Sequence, residues 1–305
     1  MLESGAAAGI FWMCMATLLS SVTGAFVRQL GGEIHAFELV FFRTVVALVL
    51  LAPWILRQGV RTMRTQRLPL YGLRVFFAYT SMVMLFYALG EMPIADVYAL
   101  QYTIPLFTIL LAVLLLKQQA DGHAWAACLI GFAGTLIVMR PGIIELTLAA
   151  VFALASAFMS AGSNTTIKLL SRTEGPEVIT VYSNLLMMPL AFVPMLFVWV
   201  TPSWQQVPWI LGIGVFGSVG GYCFTRSVSL ADARIVQPFQ FSRMLFATAL
   251  GFLMFGELPD IWTWVGAGVI FVSSYYILFR ESRARRARAK AEGESPPRAD
   301  RAAAE

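Results

Sequence analysis

Charge is what this chain has least of. Asp, Glu, Lys and Arg together make up 13% of its 305 residues, about half the share found in soluble domains. The few charges lie between long apolar runs and in the tail from Arg280 to Glu305, so the runs are nearly neutral. Histidine occurs twice, at His35 and His123, and both flank apolar runs. Cysteine occurs three times, as Cys14, Cys128 and Cys223, each in a different run and never in a C-x-x-C spacing. These scarcities leave neither a redox pair nor a metal cluster to build from, and no cofactor or metal is expected. There is no His-Glu-x-x-His or Gly-x-Ser-x-Gly motif either, which counts against an enzyme needing a nucleophile and base at one depth.

What is abundant is hydrocarbon: 58% of the residues are hydrophobic. Runs of about 18 to 25 apolar residues are long enough to cross a bilayer core as helices. Ten such spans are expected. The first five are Ala6–Val27, Ala36–Leu56, Leu70–Leu89, Ile94–Leu116 and Ala124–Met139. The others are Leu146–Leu170, Val178–Val200, Val207–Ser227, Ile235–Phe255 and Ile261–Phe279. The first run has no basic residue before it and exceeds a signal-peptide core, so it counts as a permanent span. Charged or turn-forming residues mark the breaks, as in Gly90-Glu91-Met92-Pro93 and Glu257-Leu258-Pro259-Asp260.

Lys and Arg alternate between connections. Arg57, Arg61, Arg64 and Arg67 follow the second span, Lys117 the fourth, Lys168 and Arg172 the sixth and Arg234 the eighth. The tail adds Arg280, Arg283, Arg285, Arg286, Arg288 and Lys290, whereas the other connections offer only Arg28 and Arg140. By the positive-inside rule both termini are cytoplasmic, in a bacterial inner membrane. The net charge of +5 is thus a topology signal, and nucleic acid is not an expected partner.

The halves repeat. Ala95-Asp96 and Gln101 return 136 residues later as Ala231-Asp232 and Gln237; Trp125 and Gly131 return as Trp262 and Gly268; Arg28, Leu30 and Phe42 meet Lys168, Leu170 and Tyr182. Five spans per half is an odd number, so the second half enters the membrane inverted, a plan used by many secondary transporters. The expected fold is an all-α membrane protein of ten transmembrane helices in two inverted five-helix repeats, residues 1–142 and 143–280, followed by a basic tail, 281–305, too polar to pack a core.

Several stretches carry a family resemblance: Phe41-Phe42-Arg43-Thr44-Val45-Val46-Ala47, Phe86-Tyr87-Ala88-Leu89, Pro93-Ile94-Ala95-Asp96, and Phe255-Gly256-Glu257 with Trp264-Val265-Gly266-Ala267-Gly268-Val269-Ile270. The chain up to about Arg280 resembles EamA-type members of the drug/metabolite transporter superfamily. Lys117-Gln118 stand where the resemblance would put Gly-Glu in the first half. It implies transport of amino acids, nucleoside-like or sugar-like compounds, or S-adenosylmethionine.

Polar groups inside hydrocarbon are costly and mark cavities or helix contacts. Tyr98, Gln101, Tyr102 and Pro105 follow i, i+3, i+4, i+7 spacing on the fourth span, and Arg234, Gln237, Pro238 and Phe241 correspond to them on the ninth. The substrate path is expected between these spans, with Gln101 and Gln237 either lining it or bonding neighbouring helices. Gln240 and Arg243 lie further along the ninth span, and the always-charged Arg243 has no carboxylate at its depth. It takes either backbone carbonyls or an acidic group of the substrate. Tyr79, Asn164 and Tyr222 are further lining candidates, and Glu38 and Asp96 are the carboxylates placed to take a coupling proton. Small residues four apart, including Gly217 and Gly221, fit helix packing.

The function expected is secondary transport of a small organic metabolite. A membrane-embedded enzyme and a non-transporting assembly subunit are the alternatives. The expected partners are the lipid bilayer and the substrate, with a homodimer left open.

Overall fold

A computed structural model describes residues 2–58, 67–116, 122–140, 147–170, 173–174, 176–230 and 236–293. Every described element is helical, as hydrocarbon demands of a chain whose backbone groups must bond among themselves. In order these are α1 (Leu2–Leu30), α2 (Ala36–Gln58), α3 (Leu68–Glu91), α4 (Ile94–Gln101), α5 (Ile104–Leu116), α6 (Gly122–Met139), α7 (Leu148–Leu170), α8 (Pro176–Met195) and α9 (Val207–Leu230). A 3-10 helix (Gln237–Phe241), α10 (Ser242–Phe255) and α11 (Ile261–Gly293) complete the chain. Six of the helices are individually long and apolar enough to cross a membrane. The helices compose ten spans, because α4 with α5 and the 3-10 helix with α10 each make one broken span.

Two ranges depart from the sequence reading. The fourth span is not one helix: Tyr102 and Thr103 bond back three residues, to Ala99 and Leu100. Pro105 has no N–H for the carbonyl of Gln101, so the regular ladder stops there. The ninth span likewise carries a 3-10 helix, Gln237–Phe241, around Pro238. In addition, α8 ends at Met195, five residues short of the expected Val200. The basic tail begins inside α11, which continues to Gly293.

The repeats are visible in the packing. Helix α1 lies along α9 as α7 lies along α3, while α2 meets α8 and α6 meets α11 across the same axis. The connections alternate between two faces. One face gathers Arg28, at the end of α1, on Glu257 at 2.7 Å, Arg140, after α6, on Asp260 at 2.7 Å, and Gln206, before α9, on Glu33 at 2.7 Å. Helix α1 therefore runs toward the face from which α7 departs, and the two halves are inverted. Gly256 ends α10 with φ +68°, and the N–H groups of Gly256 and Glu257 return to Phe252 and Gly251. This left-handed cap, which glycine adopts without Cβ strain, delivers Glu257 to Arg28.

The exterior is apolar: Trp204 is 90% exposed, Phe197 85% and Leu253 77%. That surface suits lipid. The interior joins both halves, with Met13, Leu89, Leu100, Leu106, Ile213, Met244 and Ile270 fully buried. The two broken spans touch: the Tyr102 hydroxyl donates to the carbonyls of Gln240 (3.2 Å) and Phe241 (3.3 Å), and its ring stacks on Phe241 at 5.5 Å.

Candidate functional site

Between the halves is a cavity of about 270 Å³. Helix α3 supplies one wall through Ala78, Ser81, Met82, Leu85, Phe86 and Leu89; α7 supplies Ser160, Ser163 and Asn164, and α1 supplies Ser20, Thr23 and Gly24. Arg43 of α2, Tyr98 of α4, Gly217 of α9 and Arg243 of α10 close it. Both repeats thus contribute, but α3 contributes more than the fourth and ninth spans between which the path was expected.

Its polar chemistry is cationic and hydroxylic. The Arg243 guanidinium sits over the Tyr98 ring, 5.3 Å from the centroid, and its buried Nε has no hydrogen-bond partner. Tyr98 is held by its hydroxyl, which donates to the Ser20 carbonyl at 2.8 Å. A Cβ at Gly24 would collide with that hydroxyl. Arg43 donates to the Met82 sulfur at 3.3 Å, a weak acceptor. A methyl group at Gly217 would lie 3.0 Å from Arg43 Nε, so this glycine makes room for a guanidinium as well as for a helix. Ser81 donates to the Ser156 carbonyl at 2.8 Å and pairs with Ser160 at 2.6 Å.

Among the described residues no carboxylate lines the cavity. Glu257 and Asp260 are engaged by Arg28 and Arg140. Asp96 accepts from Thr263 at 2.8 Å. Glu38 is fully buried; one oxygen faces the Val200 N–H at 3.4 Å and the other has no partner. Among the described residues no three His, Cys, Asp or Glu converge as metal ligands.

Of the residues singled out from sequence, Tyr98, Asn164 and Arg243 meet in the cavity. Gln101 does not: its amide donates to the Ala153 carbonyl at 3.0 Å and to Ser156, tying α4 to α7. Tyr102 and the Gln240 backbone lie at the joined helix breaks instead. Tyr79 is buried beside Phe37, centroids 6.4 Å apart, with its hydroxyl unpartnered. Tyr222 is 61% exposed and packs edge-on to Trp12 at 6.3 Å. Five positions beyond Gly217 it has turned about 140° away from the cavity, at 3.6 residues per turn. The Gln237 side chain lies outside the described residues.

Sequence reasoning passed over Arg43, Ser81, Met82, Ser160 and Ser163. The signal for Arg43 was present, since it is a permanent cation within an apolar run, the argument that selected Arg243.

Comparison with known proteins agrees with this architecture. The model of the EamA-like transporter family matches residues 7–140 and again 147–279. A riboflavin transporter of Vibrio cholerae is 30% identical over 90% of this chain and 94% of its own length. An S-adenosylmethionine uptake transporter of Rickettsia bellii is 26% identical over 90% and 95%, and a pseudopaline exporter of Pseudomonas aeruginosa 28% over 90% and 97%. A solved crystal structure superposes with TM-score 0.61 at 17% identity, covering 93% of this chain and 99% of that one, a likeness of fold. Two matched repeats and transporter relatives over nearly the full length make the chain a member of the EamA-like transporter family, an integral multi-pass membrane protein of the small-metabolite transporters.

Proposed function

We propose that the chain carries a small organic metabolite bearing an acidic group, by alternating access of its two repeats around the central cavity. The observation that supports this is the pairing of Arg43 and Arg243 on one cavity without a carboxylate. A guanidinium keeps its proton, and facing lipid at mid-span it would cost about 2.5–3.5 kcal/mol. A carboxylate or phosphate satisfies it with two parallel bonds. The volume, about 270 Å³, lies just below the usual range of ligand sites, roughly 300–1,000 Å³, which suits a small metabolite. Leu85, Phe86 and Tyr98 offer an apolar surface for the organic body. In this reading Arg243, Arg43 and Tyr98 hold the acidic end, with Asn164 and the serines of α3 and α7 completing the site. Tyr79, Gln101, Tyr102 and the Gln240 backbone act through packing and the helix breaks.

The relatives are named for riboflavin, S-adenosylmethionine and pseudopaline. Two guanidiniums repel the sulfonium and ammonium of S-adenosylmethionine, so the charge pattern disfavours that compound here. We further propose that the Lys/Arg-rich connections and both termini are cytoplasmic, which labelling of cysteines at Ser203 from outside and at Thr65 only from inside would support.

The test is uptake into proteoliposomes of a charge-graded panel: glutarate, glutaramide, riboflavin and S-adenosylmethionine. Glutarate should be carried and glutaramide and S-adenosylmethionine should not. Arg243→Lys should weaken uptake at an unchanged melting temperature, and Arg243→Met should abolish it. Normal uptake by Arg243→Met at normal protein levels removes the residue from the mechanism.

A further inference from the structure

The cavity-lining residues of α3 are Ala78, Ser81, Met82, Leu85 and Leu89, with Phe86 beside them. Arg74 precedes Ala78 by four positions, so 74, 78, 81, 82, 85 and 89 form one stripe along the helix. The stripe carries a third guanidinium, about 10 Å along the axis from Ser81 at 1.5 Å per residue. It lies toward the face at which α3 begins and α7 ends.

Arg74 is held only by hydroxyls. Its Nε donates to Ser183 of α8 at 2.7 Å and one terminal nitrogen donates to Ser163 of α7 at 3.3 Å. Ser163 also lines the central cavity, so the two places are contiguous. A guanidinium has five N–H donors, and two are used here. Among the described residues Glu174 is the carboxylate at this end, and it accepts from the Tyr71 hydroxyl. A cation that cannot deprotonate, half-buried among neutral hydroxyls with donors unspent, is complete only with water or an anion.

We infer that Arg74, with Ser163 and Ser183, forms a second anion station at the inner end of the same path, which takes the acidic group of an organic-acid substrate after Arg43 and Arg243 release it. This rests on the acidic-substrate reading above and adds to it a second place on the path. Arg43 of α2, Arg243 of α10 and Arg74 of α3 give an anion successive cationic partners along the path. Two separated stations also keep either from holding the substrate too tightly to release it, the condition conduction sets on any multi-site path.

The test modifies the full-length protein with phenylglyoxal, which reacts with accessible arginines, and reads each site by peptide mass spectrometry with glutarate, with glutaramide or with neither. Adducts should form at Arg43, Arg74 and Arg243, and glutarate but not glutaramide should suppress all three. Protection at Arg43 and Arg243 with undiminished modification at Arg74 overturns the second station and leaves the central site standing. So does reaction at the first two sites with none at Arg74, which would make it a sealed structural residue. Unprotected modification at all three overturns the acidic-substrate reading itself. As a second measurement, Arg74→Gln should keep the wild-type melting temperature and glutarate affinity in detergent while losing most glutarate uptake; uptake at the wild-type rate overturns the station.

Discussion

Tyr98 supports the guanidinium of Arg243 from below, at 5.3 Å from ring centroid to central carbon, and is itself anchored to the carbonyl of Ser20. The ring and the hydroxyl separate by mutation. Tyr98→Phe keeps the cation–π contact and loses one hydrogen bond, worth about 1 kcal/mol of stability. Tyr98→Leu loses both, and with a desolvated contact worth about 0.5–2 kcal/mol it should raise the KM for an acidic substrate severalfold. Uptake kinetics and melting temperatures of the two variants check this.

Gly217 tests the room allotted to Arg43. A methyl group there lies 3.0 Å from Nε, so Gly217→Ala should shift the guanidinium by a few tenths of an ångström and reduce transport modestly. Gly217→Leu should abolish it. Gly217→Ala should reach the membrane at the wild-type level, because its added methyl meets only the Arg43 and Thr23 side chains; surface expression and uptake are the paired readouts.

Gln101 gives the opposite pattern. Its amide bonds α7 and it is not among the described residues lining the central cavity, so Gln101→Leu should leave the KM unchanged. It should lower stability by about 1–3 kcal/mol through the polar groups left unpaired, seen as a lower melting temperature.

A coupling-proton role is tested at Glu38, which is fully buried with one oxygen that has no partner among the described residues. Glu38→Gln should retain substrate exchange across proteoliposomes and lose accumulation driven by a pH gradient. Asp96→Asn, whose carboxylate is already bonded to Thr263, should lose neither. Gradient-driven accumulation by Glu38→Gln would remove this role.

Gly256→Ala should destabilise the protein by about 1–2 kcal/mol, the cost of a Cβ in the left-handed region, and loosen the Arg28–Glu257 pair that its turn delivers. Thermal unfolding measures the first effect, and reactivity of a cysteine at Gly90, whose carbonyl accepts from Arg28, the second.

The apolar runs and the alternation of Lys and Arg already outline ten spans and an inverted pair of halves, because bilayer thickness and backbone bonding leave few other options. The site was less legible. Arg243 and Tyr98 stand out in sequence as polar groups in hydrocarbon, but Gln101 and Tyr222 do too, and only the azimuth of α4 and α9 sends one to a neighbouring helix and the other to lipid. Arg43 was read as part of a motif, and Arg74 passed unremarked. The stripe of Arg74 on α3 mixes serine, methionine and leucine, and its polarity is too weak to distinguish a cavity wall from a packed face.

The hydroxyl of Tyr102, at the break in one repeat, is bonded to the backbone at the break in the other. A hydrogen bond of this kind contributes about 1 kcal/mol, so it ties the two hinges together without locking them. Flexing of one break tends to carry the other with it, and the two repeats are biased toward moving in concert.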